Sequence, residues 1–402
     1  MNGYPKKLRG KELNIGAFFN SAAVFSIGML VQIYLKSLNA SLFYISLAFM
    51  LYALSSTLFR PIWGTVSDLI GKRKPFFIFS SIFAMLMIPM FSLVKTPIEV
   101  LILRCLLGVF MAAFGPSALA HVVENREKTT AGRALSYFNA SQSAGEMVGR
   151  IIAGTLTFFL PVRYIFFLLT FLAALALYFV SRIKEDVVVD KKMPKIKDFM
   201  MSLGNRLMLW KGTNREVMKK NGLVFVYLGS FLRQSGITGF FSLIYVYMIY
   251  QLNVSAGVSG FVSAVNPLIQ IFSMIIFGRL VDIIGRKTVF IIGTILSSIV
   301  PILFALSNGI LMLLLAFITL GVAFGAFLSG TTTFVNDVSP ADMKAELMGL
   351  LSMSRSFGEI GGPLIAGIVA DRFGYIAMFI SMSLIIVIGL ISFTFSKETL
   401  KA

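Results

Sequence analysis

The chain has little of what soluble chemistry usually depends on. It holds one cysteine, Cys105, and one histidine, His121. A lone cysteine excludes an intramolecular disulfide, and the pair leaves no Cys/His cluster for a structural zinc site. Charge is scarce as well: 13% of residues are charged, against about 25% in soluble domains. No G-x-x-x-x-G-K-[ST] loop occurs, which excludes direct drive by ATP of the Walker type. No nucleophile and no acid/base group stands out beyond two glutamates, so an enzyme is not expected, and no cofactor or metal is called for. The short alternating segments of a membrane β-barrel are also missing.

What is there is apolar. The sequence is 57% hydrophobic and has 39 Phe among 402 residues. Apolar runs of about 20 residues recur, each long enough to cross a bilayer as a helix. Spans are expected near 13–35, 42–68, 76–93, 98–123, 133–160 and 162–183, then 222–252, 258–281, 287–306, 309–336, 347–370 and 374–396. The first run follows a basic segment, as a secretory signal would. It is long and no small-residue cleavage site follows it, so an uncleaved span is expected.

The formal charge of +18 would suggest nucleic acid in a soluble protein. Here most Lys and Arg lie in the termini and in loops on one side of the expected membrane, with only Lys36, Lys95, Arg163 and Arg372 opposite. This is the positive-inside pattern. It predicts a multi-pass cell-membrane protein with both termini cytoplasmic, in contact with lipid and not with nucleic acid.

One polar stretch, 184–221, interrupts the pattern, with Ile196, Phe199, Met200, Leu203 and Leu207 at helical spacing among Lys195, Lys197 and Arg206. An amphipathic surface helix and a flexible basic linker both fit. Its flanks match one another. "GTVSDLIGKRKPFF" (64–77) returns as "GRLVDIIGRKTVFI" (278–291), and "AGEMVGRIIAG" (144–154) as "FGEIGGPLIAG" (357–367). The expectation is two parallel six-helix repeats, 1–183 and 222–402, joined by 184–221. Parallel repeats about the membrane normal point to a transporter with its substrate site between the halves.

Within the first copy, Asp68 sits at a helix C-terminus, where an acid needs compensation from a helix N-terminus or an arginine. Two copies of G-x-x-x-D-x-x-G-[KR]-[KR] resemble the major facilitator superfamily, and the resemblance covers essentially the whole chain. It implies the major facilitator fold, an all-α membrane protein of 12 transmembrane helices. It also implies that Gly64, Asp68, Gly71, Lys72 and Arg73, with Arg60 close by, and Gly278, Asp282, Gly285, Arg286 and Lys287 form gating latches between the halves.

Ionisable residues deep in a membrane are functional candidates because each costs a few kcal/mol. They are Arg104, Glu146, Arg150, Arg233, Arg355 and Glu359. Polar residues share one face of span five (Ser136, Asn139, Ser143, Glu146, Arg150, Thr157) and one of span eight (Ser259, Ser263, Asn266, Gln270, Ser273). Span seven offers Tyr227, Ser230, Gln234, Phe241 and Tyr245. These faces line a water-accessible cavity or serve as polar glue between helices. The substrate cavity is expected to use Arg150, Arg233, Gln234, Tyr227, Phe241, Tyr245, Asn266, Gln270 and Arg355. Glu146 and Glu359 occupy matching positions and are read either as proton carriers or as members of i,i+4 ion pairs with Arg150 and Arg355.

"LILRCLLGVFMAA" (101–113) is similar to the fourth-helix signature L-x-x-x-R-x-x-Q-G, with Leu107 in place of Gln. The resemblance implies a role in proton coupling for Arg104. The antiporter signature G-x-x-x-G-P-x-x-G-G is met by Gly145, Gly149 and Gly154, with Arg150 for Pro and Ala153 for Gly. Span eleven has Gly358, Gly362, Pro363 and Gly367. The drug:proton antiporter group is the nearest in motif. The expected function is alternating-access, proton-coupled efflux of amphipathic organic compounds, by a protein whose fold needs no partner to form its site. The alternative is transport of an organic anion or anionic lipid, since the deep arginines outnumber the acids.

Overall fold

The computed structural model describes residues 11–124, 128–183, 220–340 and 343–399. The amphipathic stretch expected within 184–221 lies outside the described residues except at its last two positions. Among the described residues every regular element is helical: α1 Lys11–Ser37, α2 Leu42–Ile70, α3 Lys74–Met90, α4 Pro97–Met111, α5 Phe114–Glu124, α6 Lys128–Thr157 and α7 Val162–Ser181. After these come α8 Leu223–Phe241, α9 Ile244–Val246 running into a π-turn at Tyr247–Gln251, α10 Ala256–Ile284, α11 Arg286–Ala305, α12 Ile310–Val338 and α13 Lys344–Thr394.

Among the described residues, eight helical stretches are long and apolar enough to cross a membrane, and the longest, Glu346–Thr394, breaks at Gly374 (φ 83°) into two. With three shorter or more polar segments, α3, α6 and the broken run from α8 to Gln251, the described helices fit the expected twelve. Local chemistry accounts for the breaks. Pro116, lacking an N–H, follows the interruption at Ala112–Ala113. The start of α4 carries a capping box in which Thr96 and Glu99 each satisfy the other's backbone N–H. Gly71 (φ 70°) and Gly285 (φ 98°) turn the chain where the two repeated motifs end, in a conformation that costs an L side chain energy.

Contacts group the chain into two compact units, one holding the described residues of Met1–Leu30 and Ser55–Leu207, the other those of Val31–Leu54 and Met208–Ala402. In the first unit α3 packs on α7 and α4, and α5 on α6. Phe77, Phe114, Phe138 and Val180 are fully buried in one of its core clusters. In the second, α8 lies along α13, and α12 packs on α10 and α11, around a core that includes Phe290, Phe327, Phe334 and Phe393.

The turn between α1 and α2 belongs to the second unit because its polar groups are spent there. Gln32 Nε2 donates to Phe241 O (3.0 Å), and Tyr245 N donates to Gln32 Oε1 (3.0 Å). One amide side chain thus closes the carbonyl and the N–H that the break after α8 leaves free, acting as a peptide group would. Ser242 Oγ donates to Ser46 Oγ at 3.1 Å, and Leu42 N donates to Asp371 Oδ1 at 3.1 Å.

Candidate functional site

Glycines seat α6 on α1 in the first unit and α13 on α8 in the second, where Gly293, Gly321, Gly325 and Gly330 also bring α11 and α10 close to α12. A Cβ on Gly145 or Gly149 of α6 would run into the carbonyls of Phe18 and Ala22 on α1, and one on Gly358 or Gly362 of α13 into those of Phe231 and Ser235 on α8. Such small residues let backbones touch, as in membrane helix pairs generally. Ser26 Oγ donates to Gly149 O (2.7 Å) in the first pair, and Thr238 Oγ1 to Gly358 O (3.2 Å) in the second. Gly145 and Gly149, read as part of an antiporter signature, and Gly358 and Gly362 form the seams of these pairs, and each seam carries one of the two matching glutamates.

On α6, Glu146 and Arg150 are in direct contact through Oε1 and Nη2, with side chains 12% and 3% exposed. The helical i,i+4 spacing brings the charges together, and the apolar surroundings hold them there. Arg104, on α4, is buried in the same unit.

On α13, Glu359 accepts a hydrogen bond from Gln234 Nε2 at 3.4 Å. The expected i,i+4 contact pair with Arg355 is not among the ion pairs of the described residues; the two charges act on each other at longer range. Gln234 Oε1 accepts from Arg233 Nη1 at 3.3 Å. Arg233 itself is 1% exposed and points into its own unit, with Nε donating to Ser297 Oγ (3.0 Å) and the guanidinium 4.3 Å from the centre of the Phe327 ring. Glu359, Gln234 and Arg233 therefore form one chain of polar contacts.

The remaining residues expected at a cavity lie apart from that chain. Tyr227 is buried, and its hydroxyl donates to Leu347 O at 2.9 Å. Tyr245 donates to Ser263 Oγ at 3.0 Å. Gln270 Nε2 donates to Asn266 Oδ1 (2.8 Å), Asn266 Nδ2 to Phe317 O (3.4 Å) and Ser273 Oγ to Val322 O (2.9 Å). Phe241 offers its carbonyl to Gln32. On span eight, bonds between helices take up much of the polar stripe.

Each copy of the repeated motif makes contacts within its own unit. Arg73 Nη1 pairs with Asp68 (2.6 Å) and donates to Ser67 Oγ (2.7 Å), so the acid at the C-terminus of α2 is compensated by an arginine. Lys72 and Gly64 flank this pair, and Arg60 lies exposed one turn before Gly64. In the second copy Arg286 pairs with Asp282 (3.1 Å) and Asp337 (2.7 Å). Lys287 Nζ donates to the carbonyls of Thr394 and Ser396. A Cβ on Gly278 would meet open space, whereas one on Gly285 would strike Glu398. That glutamate accepts from the N–H groups of Arg286 and Lys287, both at 3.0 Å, and so caps α11.

Sequence reasoning did not single out Gln32, Ser297, Phe327, Asp371 or Glu398. Gln32, an amide alone in an apolar run, carried the clearest signal. Glu398 carried another, as an acid between lysines just past the last span.

The family profile described as Major Facilitator Superfamily matches residues 13–217 and 226–401. The multi-drug resistance efflux pump PmrA of Streptococcus pneumoniae is 26% identical over 382 residues, which cover 92% of this chain and 91% of that one. The multidrug resistance protein MdtG of Dickeya zeae is 24% identical over 385 residues, covering 93% and 91%. Among solved structures, a D323A mutant of the nucleoside transporter NupG superposes with a TM-score of 0.77 at 16% identity, covering 95% and 98%.

Proposed function

The chain belongs to the major facilitator superfamily, and from that premise we propose that it exports amphipathic organic compounds in exchange for protons. That it is a multi-pass membrane transporter of small molecules, and not an enzyme, follows from the family. The cargo, the proton and the alternating-access cycle are the proposed part. Support for the cargo comes from a relative named as a multi-drug resistance efflux pump and another named as a multidrug resistance protein, each aligned over nine-tenths of the chain.

The observation that carries the proton step is the Glu146–Arg150 pair. A largely buried carboxylate held by an arginine has two competing influences: burial favours the neutral acid, and the guanidinium favours the anion. A change in water access tips that balance, so Glu146 takes up a proton on one side of the cycle and releases it on the other. Substrate shifts the equilibrium through its different affinity for the two states. Glu359 is the matching candidate in the second unit, and Arg104 is proposed to assist in the first. The repeated motifs gate the cycle from the cytoplasmic side, where both termini lie. Arg150, Arg355, Gln234 and the aromatic residues of span seven are the residues from which the substrate surface is proposed to be drawn. The carrier works as a monomer.

A second reading has its own observation: the four deep arginines outnumber the two deep acids, and an excess of guanidinium suits an organic anion or anionic lipid.

Liposomes containing the purified protein and an internal pH dye separate the readings. Proton flux that depends on an added cationic amphiphile, and that disappears in Glu146→Gln, is the expected result. Movement of an organic anion without proton flux, equal in Glu146→Gln, sinks the antiport reading and supports the second.

A further inference from the structure

The second unit buries a positive charge without a matching acid in contact. Arginine does not lose its proton in a protein, and a buried charge is strongly unfavourable unless it is paired and hydrogen-bonded. Arg233 satisfies Nε with Ser297 and Nη1 with Gln234, two neutral partners, and rests on the face of Phe327. Its Nη2 is buried with no hydrogen-bond partner. Arg355, a charge of the same sign, also acts on it. Glu359 reaches it through the Gln234 amide.

A second orphan lies on the same helix. Ser230 Oγ is also buried with no partner, and it sits three residues before Arg233 on α8, on the same helix face. Two unpartnered donors, one cationic, on adjacent turns of a buried helix face have the make-up of a site for a negative ion. We propose that a small monovalent inorganic anion of the halide class binds between Arg233 Nη2 and Ser230 Oγ, inside the second unit.

The chemistry narrows the class. Nε and Nη1 keep their present bonds, so the ion adds contacts and displaces none. Seating it requires the Phe327 ring, which has no hydrogen bond to lose, to yield by a small shift. A polyatomic carboxylate as large as gluconate, or a divalent sulfate, needs more donors than one guanidinium nitrogen and one hydroxyl supply. This inference is independent of the cargo and of proton exchange.

The test uses the purified full-length protein, with chloride replaced by gluconate at constant ionic strength and pH. Thermal stability is read as the monodisperse fraction left after heating. Chloride and bromide are expected to raise the melting temperature along a saturating curve in the wild type, and Arg233→Gln to abolish that curve. Ser230→Ala should raise the half-saturating chloride concentration by about tenfold, the loss of one charge-assisted hydrogen bond. Equal stability in chloride and gluconate overturns the proposal, as does an unchanged curve in Arg233→Gln. A rise with sulfate at least as large as with chloride marks a general salt effect and also overturns it. If Arg233→Gln does not fold, Ser230→Ala decides alone, and an unshifted midpoint refutes the site.

Discussion

The pair α1/α6 in the first unit and the pair α8/α13 in the second repeat the same contact and use it differently. In both, two glycines a turn apart seat one helix against carbonyls of the other, and in both a glutamate follows the first glycine. Yet Glu146 closes on Arg150, whereas the residue four positions beyond Glu359 is Pro363, which has no charge to offer. Glu359 turns instead to Gln234, and the nearby arginine, Arg233, is drawn away to Ser297 and Phe327. Duplication kept the backbone seam, where any side chain would clash, and left the charges free to diverge. Close packing tolerates less change than electrostatics does.

Breaking the shared seam should have the largest effect. Gly149→Leu and Gly362→Leu put a side chain into a backbone carbonyl, and both are expected to cost about 3 kcal/mol or more and to abolish the monodisperse peak on size exclusion. If one variant folds normally, the two seams are not equivalent.

The next effect separates the halves. Arg150→Met leaves a buried carboxylate without its partner and should cost about 3–5 kcal/mol in a mixed-micelle unfolding titration, largely recovered when Glu146→Gln is added. Arg355→Met removes no contact pair, and its cost should be smaller by about 2 kcal/mol. Equal costs would mean that the pairs are alike in solution.

A smaller change bears on the second unit alone. Gln32→Ala frees Phe241 O and Tyr245 N at the break in span seven and should cost about 1–3 kcal/mol. No loss would show that water replaces the amide. Smallest is Glu398→Gln, which removes the anion from the start of α11 and should cost about 0.3–1 kcal/mol, less at high salt.

The fold was legible because its signals are local or repeated. Apolar length marks each span, Gly71 and Gly285 mark the ends of the motifs, and one offset relates Glu146 to Glu359. Arg150 as the partner of Glu146 could be read from i,i+4 spacing alone. The same rule misled at Arg355, where the spacing is present and the contact is not, because Gln234 on a different helix takes the carboxylate. The polar face of span eight was legible as a face, but the bonds it spends on α12 and on Tyr245 come from residues far away in sequence. The partners of Gln32 could not be read at all, since they lie at a break some two hundred residues away.

The sequence by itself determined that the chain is a duplicated bundle of membrane-spanning helices and which helices bear charges within their apolar runs. Those properties rest on periodicity, composition and one repeated spacing, all carried along the chain. Only the tertiary structure decided which charge meets which group: the closed pair at Glu146, the amide bridge at Glu359, and the arginine that lies over Phe327 with one nitrogen unpartnered. Such pairings depend on atoms a few ångströms apart, contributed by helices whose order in space the chain's own periodicity does not encode.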